Sequence, residues 1–77
     1  MNPFTRAVLR ILSQSDVAIG WYQIERRLSN MALDERPHLP TVLAELIDHG
    51  LVAEVSAADE PKIKYVVTKL GREVIAS

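Results

Sequence analysis

The glycine at position 50 separates two incompatible periodicities, and that junction restricts what the chain can fold into more than any other stretch. Before it, Leu39, Val42, Leu43, Leu46 and Ile47 recur at three- and four-residue spacing, which places one apolar stripe along a helix. After it, Leu51 and Val52 open an extended run at once. A glycine at such a boundary adopts the left-handed backbone that ends a helix without the strain a Cβ would bring. The pattern therefore predicts a short helix over 40–49 that turns directly into a strand. Aliphatic side chains would clamp both to the rest of the chain.

The other elements follow from the same rules. Asn2 suits a helix cap and Pro3 a first helical position, so a first helix is expected over Pro3–Ser13 with Phe4, Ala7, Val8, Ile11 and Leu12 inward. Residues 13–16 break the pattern, and 17–19 fit a stub of strand before Gly20. A second helix is expected over 21–28, with Trp21, Ile24, Leu28 and Met31 on its buried side and Tyr22 half-buried. Residues 32–37, with Asp34, Glu35 and Arg36, read as a solvated connection. The pairs Arg36-Pro37 and Leu39-Pro40 delay the third helix to about position 40. The runs 51–56 and 62–67 alternate, with Leu51, Ala53 and Val55 on one face of the first and Ile63, Tyr65 and Val67 on one face of the second. Residues 57–61, ending in Pro61, form the turn between them, so 51–67 is expected to be a β-hairpin. Thr68 caps a last helix, with Leu70, Val74 and Ile75 inward and Gly71 at a close approach.

The order helix, short strand, helix, helix, hairpin, helix is that of an α+β winged-helix domain occupying 1–77. At this length the share of surface buried is small and the stability margin thin, which favours association with a second copy. With 48% hydrophobic residues and few aromatics, the core must be mainly aliphatic. The chain has no cysteine, which excludes disulfides and thiolate zinc sites. Arg6 and Arg10 interrupt the apolar pattern of the first helix, which excludes a signal core or membrane span there and makes the cytoplasm the expected location.

Three stretches resemble the winged helix-turn-helix regulators, most closely the PadR and MarR types. They are Val42-Leu-x-x-Leu46-x-x-x-Gly50-Leu-Val52, Tyr65-x-x-Thr68-x-x-Gly71-x-x-x-Ile75 and, more loosely, Gly20-Trp-Tyr-Gln-Ile24. The resemblance runs from about position 4 to position 75. It implies a DNA-binding transcription regulator, with helix 40–49 as recognition helix and hairpin 51–67 as wing. It also implies a dimer on double-stranded DNA, because one such domain buries little surface there. The chain departs from that group in lacking a long additional dimerisation helix and in its charge. Residues 34–50 carry a net charge of −3 and the wing region 54–64 one of −1, whereas 1–33 carry +2. Duplex DNA is gripped chiefly through Lys and Arg on phosphates.

The candidate nucleic-acid contacts are Arg26 and Arg27 on the second helix, Arg36, His38 and Thr41 around the start of the third, and Lys62 and Lys64 on the wing. Each has a plainer reading. The arginines would simply be hydrated, His38 and Thr41 would belong to a solvated helix face with Ala44, Glu45 and Asp48, and the lysines would guard an edge strand against aggregation. The charge distribution supports an alternative from another class, a protein-interaction module such as an antitoxin, immunity protein or anti-regulator. It would meet a basic protein through Glu45, Asp48, Asp59 and Glu60, with Trp21 as anchor if that side chain is exposed.

Catalysis has no support in the sequence. His38 and His49 lie at opposite ends of one helix and cannot share a metal. Ser13 and Ser15 have no histidine nearby, and Asp34-Glu35 and Asp59-Glu60 are adjacent pairs in loops. No glycine-rich phosphate loop is present. Neither an enzymatic activity nor a cofactor is expected.

Overall fold

The computed structural model describes residues 2–33, 36–56 and 62–76. The elements are α1 (Pro3–Ser13), β1 (Ile19–Gly20), α2 (Trp21–Ser29), α3 (Leu39–Asp48), β2 (Val52–Val55), β3 (Lys64–Val67) and α4 (Lys69–Ala76). The strands form one antiparallel sheet in the order β1-β3-β2. This is the winged-helix arrangement, with β2 and β3 as the paired ribbon.

Each boundary has a local cause. The Asn2 side chain accepts the Thr5 N–H at 2.8 Å and Pro3 stands in the first turn, so α1 starts where the sequence predicts. At the start of α2, the Gln23 Oε1 accepts the Gly20 N–H at 3.0 Å. Among the described residues Gly50 alone has positive φ, at 75°. There the Leu51 N–H donates to the Leu46 carbonyl (2.9 Å) and the Gly50 N–H to the Ile47 carbonyl (3.0 Å). These two bonds are the Schellman closure, which satisfies carbonyls the helix end leaves open.

That corner is tied to the start of α4. The Thr68 hydroxyl donates to the Gly50 carbonyl at 2.6 Å and accepts the Gly71 N–H at 3.1 Å, while the Thr68 N–H donates to the Leu51 carbonyl at 3.0 Å. One side chain therefore caps α4 and pins the end of α3. Thr68→Ala is expected to lower stability by about 1–2 kcal/mol, the usual loss for a helix cap, read as a fall in the urea midpoint. An unchanged midpoint would show that the backbone bond from Thr68 holds the corner without the hydroxyl.

The core is aliphatic and centred on α1, which packs against α2, α4 and β3. Val8, Leu9, Ile11, Leu12, Ile24 and Leu43 are fully enclosed. The sequence pattern missed Leu9. An α1 with neighbours on several sides buries a wider arc than the single stripe of a surface helix.

Several expectations need correction. The strand stub is Ile19–Gly20, and Val17 is 70% exposed. On β2 the inward residue is Val52, which pairs with the buried Val67, while Val55 is exposed. Leu51 is buried as part of the glycine corner, so the strand alternation starts one residue later than a count from Leu51 suggests. Ile63 lies before β3 and is exposed. Leu70 is exposed too; the inward side of α4 is Gly71, with Val74 and Ile75 partly covered by the core. The last difference has a steric reason. α4 meets the Leu51 carbonyl closely through Gly71, while Leu70 lies at the outer rim of the corner near Gly50 and stays half exposed.

Candidate nucleic-acid interface

With Leu39, Val42, Leu43 and Leu46 buried, α3 turns the opposite face outward. His38, Thr41, Ala44, Glu45 and Asp48 are all exposed, as the stripe predicts. His38 is the N-cap of α3 but makes no capping bond through its side chain. Among the described residues no hydrogen bond or ion pair engages the hydroxyl of Thr41 or the carboxylates of Glu45 and Asp48. The last turn of α3 holds no basic residue. Glu45 and Asp48 therefore sit where the helix dipole favours cations, an arrangement that costs a few tenths of a kcal/mol each.

Beside this face lies an open groove of about 930 Å³ between the starts of α2 and α3 and the first residues of the ribbon's second strand. Trp21 and Tyr22 border it on one side, His38 and Pro40 on another, and Lys62 and Ile63 on the third. The expectation that Trp21 belongs to the core is overturned. It is 48% exposed and Tyr22 63%. Spacing placed Trp21 in line with Ile24 and Leu28, but it occupies the first position of a helix that springs from a two-residue strand. That first turn borders the groove, so about half of the ring stays open to solvent. The two rings meet edge to face, 6.2 Å apart at 84°.

Tyr65 also lines the groove, and it stands opposite Glu54 across the β2–β3 ladder. Burial raises its phenol above the ordinary tyrosine range, and the Glu54 carboxylate pushes the same way. It is therefore a neutral hydroxyl at neutral pH, able to donate or accept. Periodicity alone does not reveal that Ile63 and Tyr65 border a groove, because its walls come from α2, α3 and the ribbon together.

The candidate cations divide into two groups. Arg27 donates to the Ser15 hydroxyl at 3.0 Å, and Ser15, itself buried, donates to the Ile11 carbonyl at 3.2 Å. Arg36 closes the end of α2, donating to the Leu28 carbonyl at 3.2 Å and the Met31 carbonyl at 2.7 Å. Both guanidiniums thus tie down helix ends, a role the spacing of charges does not reveal. Arg26 and Lys62 are exposed. Lys64 begins β3, which lies between β1 and β2, so the edge-strand explanation of Lys64 is corrected: its strand is the central one. Asp34, Glu35, Asp59 and Glu60 lie outside the described residues.

Among the described residues no group of His, Asp or Glu could hold a metal ion, and no helix is long and apolar enough to cross a membrane.

No family model matches the sequence, and no curated protein matches it. Among solved structures the chain is similar to hsRosR-S1, determined as a complex, with a TM-score of 0.78 at 23% identity over 99% of this chain and 67% of that one. The likeness is one of fold, and the fold is the winged helix.

Proposed function

We propose that this chain is a DNA-binding transcription regulator that lays α3 in the major groove and sets the β2–β3 ribbon against the flanking backbone. The observation that carries this reading is the uncovered outward face of α3 beside the exposed Lys62 and the open starts of α2 and α3. The winged-helix fold shared with hsRosR-S1 supports it. The motifs around Gly50 and Thr68 favour the PadR and MarR types within that class, acting as a pair of copies on two half-sites. Thr41 and His38 stand at the helix start, where base edges and phosphates are reached. Lys62 and Arg26 supply the exposed positive charge. Arg27, Arg36 and Lys64 contribute through the field more than through contact.

Retardation of duplex DNA by the full chain should weaken with salt, with a log–log slope of about −0.9 per phosphate contact. Lys62→Glu and Arg26→Glu should each weaken binding to all sequences alike and flatten that slope by about 1. Lys64 is a poorer test, since it is half-buried in the central strand. Absence of retardation of any duplex at low salt would remove the proposal.

A second reading has its own observation: the exposed Trp21 and Tyr22, and separately the uncompensated Glu45 and Asp48, also suit a basic protein partner. There, reversing the charge of Glu45 and Asp48 should weaken the complex.

A further inference from the structure

The residues missing from α3 restrict what it can read. The helix is Leu-Pro-Thr-Val-Leu-Ala-Glu-Leu-Ile-Asp over Leu39–Asp48, without a single Arg, Lys, Asn or Gln. Guanine is recognised in the major groove mainly by Arg or Lys on O6 and N7, and adenine by Asn or Gln on N6 and N7. Neither pairing can be made from this helix. Its exposed face, at spacings of three, four and seven residues, holds Thr41, Ala44, Glu45 and Asp48. Those side chains match the two pyrimidine features of the groove. A methyl group contacts the thymine 5-methyl, and a carboxylate accepts from the cytosine N4 amine. His38 lies off this face, at the cap, where it borders the groove shared with α2.

We infer that α3 recognises its site through pyrimidine edges, with Thr41 and Ala44 on thymine methyls and Asp48 on a cytosine amine. The inference rests on the DNA-binding reading above and specifies its sequence readout. From Thr41 to Asp48 the helix rises about 10 Å, close to three base-pair steps at 3.4 Å each. The patch read by one α3 accordingly spans about three base-pair steps, or four base pairs. The placement of Asp48 in the last turn, against the helix dipole, fits a carboxylate held for a partner outside the chain. Glu45 leans toward the α1 start, sharing a hollow with Asn2 and Thr5, and contributes less. The same acidic face repels phosphates, so a duplex without the matching pyrimidines is bound more weakly than by a neutral helix.

The test is a selection of duplexes from a random pool by the full chain, followed by base replacement in the selected site. Changing each thymine to uracil removes only the 5-methyl group. At contacted positions this should weaken binding about fourfold per methyl, the worth of one buried methyl-sized group. Thr41→Ser, which keeps the hydroxyl and drops the methyl, should abolish the difference between thymine and uracil at one position. Asp48→Asn should move the preference at another position from cytosine toward adenine, because an amide both donates and accepts. A selected duplex that binds equally well with uracil throughout, and whose sequence is unaltered by Asp48→Asn, overturns the inference and leaves DNA binding standing. Failure to select any duplex at low salt overturns the DNA-binding reading itself. Both variants change exposed side chains, so a far-ultraviolet spectrum equal to that of the parent shows that any loss arises at the interface.

Discussion

Gly71→Ala is expected to destabilise the protein by about 3 kcal/mol, even though alanine is the better helix former. In an exposed helix the exchange would gain about 1 kcal/mol. Here a Cβ at position 71 falls onto the Leu51 carbonyl oxygen and within 2.6 Å of Val67 Cγ2. The carbonyl cannot withdraw easily. It accepts the Thr68 N–H, and the Leu51 N–H is held by Leu46. Overfilling a fixed contact of this kind typically costs 1–3 kcal/mol beyond what propensity returns. For a domain of this size, 3 kcal/mol lowers the melting temperature by about 12 °C or more. Thermal unfolding followed by circular dichroism reads it directly. A melting temperature equal to or above that of the parent would mean that α4 can lift away from the corner at little cost. The corner would then not be the rigid point described above.

Leu9→Ala is the second large effect, expected at about 2–5 kcal/mol, the range for a leucine truncated in a closed core. Leu9 is 0% exposed and sits at the middle of α1, the helix that packs against α2, α4 and β3. The cavity would be enclosed on every side, so relaxation recovers little. Leu70→Ala is the matched control. Leu70 is 48% exposed, and its truncation should change the urea midpoint far less. Equal losses at the two sites would show that α4 buries Leu70 in solution and that the apolar face of α4 has been misassigned.

Either variant also separates stability from recognition. Neither residue is on the outward face of α3, so duplex binding by whatever fraction remains folded should keep its sequence preference. A stability defect alone would shift apparent affinity uniformly, whereas a changed preference belongs to Thr41 and Asp48.

Local chemistry made some of this readable from the residues. Gly50 between a helical stripe and an alternating run needs only two facts: the left-handed backbone is cheap for glycine, and side chains repeat at 3.6 in a helix and at 2 in a strand. The helix starts at Pro3 and Thr68 are equally local, since a cap bonds within its own first turn. The exposed face of α3 followed from its buried one. These features placed α3, the ribbon and the corner between them.

The groove and the arginines were not readable in that way. Whether Trp21 is covered depends on what extends beyond the end of a two-residue strand, and the spacing to Ile24 and Leu28 says nothing about that. Arg27 reaches a hydroxyl twelve residues back, and Arg36 one carbonyl in the last turn of the preceding helix and another just beyond it. A charge count treats both as free cations, because hydrogen bonds across elements leave no periodic mark. Thus the chain by itself determined its elements, their order and the outward side of α3, all set by interactions within a few residues. Which aromatics stay uncovered, which guanidiniums are engaged and where α4 meets the glycine corner were decided only when distant segments packed, because burial and partner choice depend on neighbours remote in sequence.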